Sequence, residues 1–102
     1  MKLEHENLED LKRKILEIVG RHADLKNHRV FFFGSRVNGQ SVENSDIDVG
    51  IEGVLPLPAG VLSDIQDEIV NLPVLYKIDI VDFATVNEKF KAVAKEHIEL
   101  VN

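Results

Sequence analysis

The sequence contains no cysteine and no tryptophan, and it has no apolar stretch that approaches the length of about 20 residues needed to span a bilayer. Without cysteine the chain can form neither a disulfide bond nor a thiolate zinc site. Residues 1–6 are acidic and lack the apolar core of a secretory signal peptide. These absences predict a cytoplasmic protein that makes no contact with a membrane.

Basic residues are also few. The chain has 12 Lys and Arg residues against 18 Asp and Glu residues, which gives a formal net charge of −6. Extended binding along a nucleic-acid backbone needs clustered Lys and Arg, so we predict no such binding. The charge balance still permits a small phosphate-bearing ligand, provided that a metal ion and a few local groups neutralise its charge.

The rest of the composition is that of a small globular domain. Hydrophobic residues make up 44% of the sequence and charged residues 29%, which excludes a disordered chain. A domain of 102 residues buries only somewhat more than about 60% of its unfolded surface, so its margin of stability is narrow. We predict one domain spanning residues 1–102.

Apolar periodicity predicts an alternation of helices and strands. In the last helix, Phe90, Val93 and Ala94 are expected to face inward. The resulting order predicts an α/β (α+β) fold, with a small mixed β-sheet and helices packed mainly on one face. The predicted helices span residues 6–22, 60–72 and 87–96, and the predicted strands span residues 29–33, 46–52, 76–83 and 98–101.

Three carboxylates occupy predicted strand positions: Asp46 and Asp48 head the second strand, and Asp79 lies inside the third. A charge in a core strand is costly unless it is paired or binds a metal. Because successive strand residues point to opposite faces, Asp46 and Asp48 share the face opposite Ile47. If the isoleucines face the helices, all three carboxylates emerge on the open face, where Gly50 leaves room beside them. Such a set of oxygen donors suits Mg²⁺.

Asp82 is an alternative to Asp79 as the third carboxylate. Its position in the strand has the opposite parity, and it lies near the strand end, so we favour Asp79. The four histidines show no metal-ligand spacing and are expected at the surface. The apolar loop at residues 54–58 is either a plain connector or a contact surface for a partner.

The dipeptide Gly34-Ser35 directly follows the apolar run at residues 30–33. A turn that leaves a buried strand and opens a short helix presents free backbone N–H groups, which suit a phosphate. Glycine lets the backbone approach a ligand closely. We therefore predict a phosphate-binding turn here. It is neither a P-loop nor a dinucleotide fingerprint, because its glycine spacing matches neither.

The order Gly34-Ser35, then Ser45-Asp46-Ile47-Asp48, then Asp79 resembles the nucleotidyltransferase superfamily related to DNA polymerase beta. The short chain resembles its smallest branch, the minimal nucleotidyltransferases. The resemblance covers residues 30–83 directly. It implies the nucleotidyltransferase fold, with the active site on the sheet face that the helices leave open.

The resemblance also implies roles for individual residues. Gly34 and Ser35 would hold the triphosphate of ATP, while Asp46 and Asp48 would bind two Mg²⁺ ions. Asp79 would share one of these ions and help to deprotonate the attacking hydroxyl. Two residues complete the candidate nucleotide site, Arg36 as a phosphate contact and Ser45 chiefly as the residue that caps or orients the turn.

Minimal nucleotidyltransferases are often encoded beside a small helical HEPN toxin, for which they serve as antitoxin. The resemblance therefore implies an enzyme that moves AMP from ATP to a tyrosine of such a partner. Two alternatives stay open: an antitoxin that masks its partner without catalysis, and the catalytic half of a two-subunit transferase for small molecules. Assembly into a homo-oligomer also stays open.

Overall fold

One mixed β-sheet organises the chain in the computed structural model, which describes residues 3, 6–34, 37 and 46–102. In the described residues the strand order is β3–β2–β1–β4. This architecture confirms the predicted α/β (α+β) class. The helices are α1 (Leu8–His22), α2 (Val61–Val70) and α3 (Glu88–Ala94), and the strands are β1 (Arg29–Phe33), β2 (Ile47–Glu52), β3 (Ile78–Asp82) and β4 (Glu99–Leu100).

The helix α1 begins where the sequence supplies a cap. The Asn7 side chain accepts a hydrogen bond from the Asp10 N–H at 2.9 Å, which satisfies a donor that the helix itself leaves unpaired. The helix dipole interacts favourably with acidic Glu9 and Asp10 in the first turn and with basic Arg21 in the last turn. Among the described residues, no helix combines the length and the apolar character needed to cross a membrane.

The sheet is mixed because β2 pairs differently with its two neighbours. It runs antiparallel to β1, where Phe33 lies opposite Asp48, and parallel to β3, where Asp48 lies opposite Asp79. The parallel pairing requires a crossover connection, and α2 lies within that connection. The short β4 pairs antiparallel to the other side of β1.

One face of the sheet packs against α1 and α2. On this face the residues of β1, β2 and β3, which include Ile47 and Ile78, are all buried. The apolar stripe of α1 covers them, as its helical spacing predicts. The buried side chains of this cluster are Leu11, Ile15, Ile18, Val19, Val30, Phe32, Ile47, Val49, Ile51, Ile65, Ile69, Ile78, Ile80 and Val101.

The opposite face carries a second, smaller cluster of Phe31, Phe33 and Phe83. The ring of Phe83 lies 4.9 Å from the ring of Phe31 and 5.0 Å from that of Phe33, both edge to face. Ala94 of α3 packs against this cluster. The prediction that helices cover mainly one face therefore holds for α1 and α2, whereas α3 contacts the other face.

The expectation that Phe90 and Val93 face inward was wrong for Val93 and only partly right for Phe90. Val93 is 64% exposed and Phe90 is 43% exposed, while Ala94 is half-buried. The reason is that α3 packs only on the small phenylalanine cluster, which is too small to cover the whole apolar side of the helix.

Gly50 was expected to leave room beside the carboxylates, and this expectation was wrong. A Cβ atom at this position would lie 2.6 Å from Cε2 of Phe31 and 2.7 Å from Cε1 of Phe83. The missing side chain is therefore what allows these two rings to pack onto the sheet.

We expect Gly50→Ala to lower the free energy of unfolding by about 1–3 kcal/mol, because both rings would have to move in a close-packed cluster. Urea unfolding followed by circular dichroism would measure the loss. Ser63→Ala, at an exposed position of α2, is the control and should change stability by less than about 0.5 kcal/mol. Equal stability of the two variants would contradict the packing argument.

Candidate active site

Asp48 and Asp79 lie side by side on the sheet face opposite α1 and α2. The parallel register of β2 and β3 places them opposite each other, and both side chains are half-buried. Their neighbours Ile47 and Ile78 point into the helix-covered core. The two carboxylates thus come from strands that are separated by a whole crossover in sequence.

The pKa of Asp48 is raised above its ordinary value. Burial is the largest cause, followed by the negative charges of Asp79 and then Asp46. No described cation contributes to this shift. The site therefore concentrates negative charge where the described residues supply no compensating positive charge, which is the condition that favours a bound cation.

Asp46 precedes β2 and is exposed. It lies near enough to influence Asp48 electrostatically, but the described residues contain no group of three or more His, Cys, Asp or Glu side chains placed to hold a metal ion. The structure therefore brings two of the three predicted carboxylates together and leaves the third beside them. The oxygen donors of Asp48 and Asp79 fit Mg²⁺, which binds through one or two carboxylates and retains waters.

Gly34 brings the turn after β1 against the Asp48 carboxylate. Its φ angle is +84°, a left-handed conformation that favours glycine. A Cβ atom at this position would overlap Oδ2 of Asp48. The predicted phosphate-binding turn and the predicted metal-binding carboxylate are thus in direct proximity, and only a glycine permits it. Ser35, Arg36 and Ser45 lie outside the described residues.

Asp82 lies on the other side of β3 and has a different environment. It is only 5% exposed, and its carboxylate accepts hydrogen bonds from the backbone N–H groups of Leu57 and Ala84, each at 2.9 Å. The bond from Leu57 ties the loop before α2 to the end of β3, and the bond from Ala84 fixes the turn that follows β3. Asp79 is therefore the β3 carboxylate that lies beside Asp48, and Asp82 supports the loop.

A cleft of about 360 Å³ opens beside Asp48 and Gly34. Its far wall is α3 and the turn that follows. Lys95, just after α3, donates hydrogen bonds to both carboxylate oxygens of Glu52 on β2 at 2.9 and 3.0 Å, which holds this wall over the sheet. Sequence reasoning missed this wall, since it assigned these apolar residues to the core. The lining residues are Phe33, Gly34, Asp48, Phe90, Val93, Ala94, Glu96 and His97.

Comparison with known proteins decides the family. A family model described as "Polymerase beta, Nucleotidyltransferase" matches residues 13–102. The chain belongs to the polymerase beta nucleotidyltransferase family. It is thus a nucleotidyltransferase, as the resemblance of its sequence motifs to this superfamily predicted.

A curated relative of this chain is the probable protein adenylyltransferase MntA of Haemophilus influenzae. It is 27% identical to this chain over 89 residues, which are 85% of this chain and 78% of the relative. The relative's name agrees with the predicted minimal branch of the polymerase beta-like superfamily.

Two solved structures share the nucleotidyltransferase fold. One is a chain of a toxin–antitoxin crystal structure with AMP-PNP, with a TM-score of 0.71 and 18% identity, covering 89% of this chain and 72% of that chain. The other comes from a tri-AMPylated Shewanella oneidensis HEPN toxin in complex with its MNT antitoxin. Its TM-score is 0.65 at 14% identity, covering 93% of this chain and 72% of that chain. At these identities the likeness establishes the fold alone.

We expect Asp48→Asn to raise the free energy of unfolding at about pH 7 in metal-free buffer, because it removes a charge that burial and two neighbouring carboxylates disfavour. The folded-state pKa of Asp48 is raised, so folding of the wild-type protein takes up protons. The destabilisation caused by the charged Asp48 carboxylate therefore disappears as the pH falls through that pKa. The advantage of the variant should therefore shrink toward about pH 4. Urea unfolding at both pH values would measure it.

Asp67→Asn, at an exposed position of α2, is the control for this experiment. It should leave stability nearly unchanged at both pH values. An Asp48→Asn protein less stable than the wild type at neutral pH would show that the carboxylate has a favourable partner in the folded state.

Asp82→Ala should lower the free energy of unfolding by about 2–4 kcal/mol, because two backbone N–H groups would lose their acceptor. Asp79→Ala, on the same strand but on the open face, is the matched control and should not destabilise the protein. Urea unfolding of both variants would test the two roles. A similar loss in both would contradict the division between a loop-supporting and a site carboxylate.

Proposed function

We propose that this chain is a Mg²⁺-dependent nucleotidyltransferase that transfers AMP from ATP to a tyrosine hydroxyl of a small helical HEPN-type protein, for which it acts as antitoxin. The observation that carries the proposal is the meeting of the Asp48 and Asp79 carboxylates with the glycine turn at Gly34 on one face of the sheet. Oxygen donors for a divalent cation thereby lie beside a backbone turn suited to phosphate.

In this proposal one group of residues binds the nucleotide and its metal ions, and Asp79 also acts on the acceptor. The turn at Gly34 and Ser35 binds phosphate oxygens through backbone N–H groups, with Arg36 as a further phosphate contact and Ser45 orienting the segment before Asp46. The carboxylates of Asp46, Asp48 and Asp79 would bind Mg²⁺. Bound Mg²⁺, for which we propose two ions, would neutralise the charge that develops on the phosphate oxygens.

Asp79 has a second role on the acceptor side. Since β3 is an edge strand of the described sheet, an acceptor can approach Asp79 from beyond that edge of the sheet. Asp79 accepts the proton of the attacking hydroxyl, the hydroxyl oxygen bonds to the α-phosphorus, and pyrophosphate leaves.

The comparisons support the partner and the acceptor. The Haemophilus influenzae relative is named a probable protein adenylyltransferase. Two of the structures with the same fold are toxin–antitoxin complexes, and one of these contains an AMPylated HEPN toxin. We carry these properties to this chain as part of the proposal. A cytoplasmic location is part of it too, since the proposed partner and ATP would be met there.

A second candidate function is an antitoxin that masks its partner by contact alone. The observation that favours it is that Asp46, Asp48 and Asp79 do not form a group of three metal-ligating side chains in the described part of the chain. Under this alternative the nucleotide site would contribute little to neutralisation of the partner.

The test is incorporation of label from ATP carrying ³²P at the α-phosphate, with Mg²⁺ and the helical protein encoded beside this chain. We expect label on that protein, and a loss of at least about 100-fold in the Asp48→Asn variant, because a direct metal ligand should matter at least as much as the outer-shell groups that cost 10–100-fold. Asp67→Asn, on the outside of α2, is the control and should retain full activity.

The same variants distinguish catalysis from masking. If Asp48→Asn binds the partner but no longer neutralises it, neutralisation requires transfer. A partner that stays unlabelled yet is neutralised equally by wild-type protein and Asp48→Asn would instead establish masking.

A further inference from the structure

We propose that the cleft between Gly34 and α3 binds the nucleobase of the donor nucleotide, with the ring of Phe90 as its stacking surface. This inference rests on the proposed function, since it requires a nucleotide whose phosphates lie at Gly34. It assigns a binding role to α3, a helix that carries none of the motif residues of the site.

The position of the cleft assigns it to the nucleotide rather than to the acceptor. Gly34 and Asp48, at the phosphate end of the site, form its near wall. Asp79, which lies on the β3 side of Asp48, does not line it. The sheet order β3–β2–β1 therefore puts the cleft on the β1 side of the carboxylates, away from the edge at which we place the acceptor.

Phe90 combines a fixed position with an exposed ring. Its centroid lies 6.2 Å from that of Phe33 at an interplanar angle of 86°, and 5.9 Å from that of Phe83 at 53°. These contacts hold one side of the ring against the phenylalanine cluster, while 43% of the residue stays exposed. An aromatic surface that is ordered before binding loses little conformational entropy when a base stacks on it.

Val93 extends this apolar surface. It lies three residues after Phe90 on α3, so the two side chains share one side of the helix, and Val93 is 64% exposed. Together the two side chains give this wall of the cleft an apolar surface, which suits a ligand with a flat apolar face.

Polar groups at the rim suit the edges of a base. Glu96 and His97 line the cleft and are both exposed. A carboxylate accepts a hydrogen bond from an exocyclic amino group, such as that of adenine, and a neutral imidazole both donates and accepts. The combination of a mainly apolar surface and a few polar groups is typical of sites for small ligands.

The size of the cleft suits a base with its ribose. Its volume of about 360 Å³ lies at the lower end of the range of about 300–1,000 Å³ for small-molecule sites. We therefore assign the cleft to the nucleotide.

Calorimetric titration with Mg²⁺-ATP and with Mg²⁺-tripolyphosphate tests the proposal. In Phe90→Ala the Kd for ATP should rise by about 5- to 150-fold, which is the range expected from the loss of base–aromatic stacking. The Kd for tripolyphosphate, which has no base, should not change. Phe90→Tyr, which keeps the ring, should retain wild-type affinity for ATP.

Two further variants control for folding and for general loss of apolar surface. Phe90→Leu keeps an apolar side chain on the phenylalanine cluster but removes the aromatic ring, so it should fold and still bind ATP more weakly. Val70→Ala removes an exposed apolar side chain at the end of α2, away from the residues that line the cleft. It should leave both affinities unchanged.

The outcomes separate this inference from the proposed function. Unchanged ATP affinity in both Phe90→Ala and Phe90→Leu would overturn the base subsite, and a loss of partner binding in those variants would reassign the cleft to the protein interface. Wild-type protein that binds neither ATP nor tripolyphosphate would overturn the proposed function itself. Weaker binding of ATP alone in the variants without the ring would establish the subsite.

Discussion

The pairing of β2 with β3 is the constraint on which the site depends. In this parallel register Asp48 lies opposite Asp79, while Ile47 and Ile78 point into the core beneath α1 and α2. A slip of one residue would move every side chain of the strand to the other face. Burial of the isoleucines therefore fixes the carboxylates on the open face, although burial and then the neighbouring negative charges raise the pKa of Asp48. The hydrophobic core thus stabilises an unfavourable arrangement of charge.

Two glycines let the open face serve both packing and chemistry. Gly34 allows a backbone turn to lie against the Asp48 carboxylate, and Gly50 allows Phe31 and Phe83 to pack directly on the sheet. The phenylalanine cluster in turn supports α3, whose exposed residues form the far wall of the cleft. On β2 the half-buried Asp48 carboxylate and the closely packed Gly50 therefore lie two residues apart on the same face.

Much of the fold could be predicted from periodicity, because the large core imposes it. The α1 stripe, the alternation in β2 and β3, and the side of β3 on which Asp79 emerges all follow from which residues must be buried. The orientation of α3 could not be predicted in this way. Its apolar residues resemble a core stripe, yet Val93 is largely exposed, because local patterning does not reveal how much sheet surface remains for the helix to cover. The roles of Ser35, Arg36 and Ser45 remain predictions from the motif.

The sequence by itself determined the family and its candidate residues, because strand parity and motif order are local properties that a single chain displays. Only the tertiary structure decided which carboxylates meet. It placed Asp79 beside Asp48 and gave Asp82 two backbone hydrogen-bond donors, and in the described residues it did not gather Asp46, Asp48 and Asp79 into a group of three metal-ligating side chains. It also formed the cleft beside Gly34 from α3. These outcomes depend on register, crossover and packing between distant segments, which no local pattern contains.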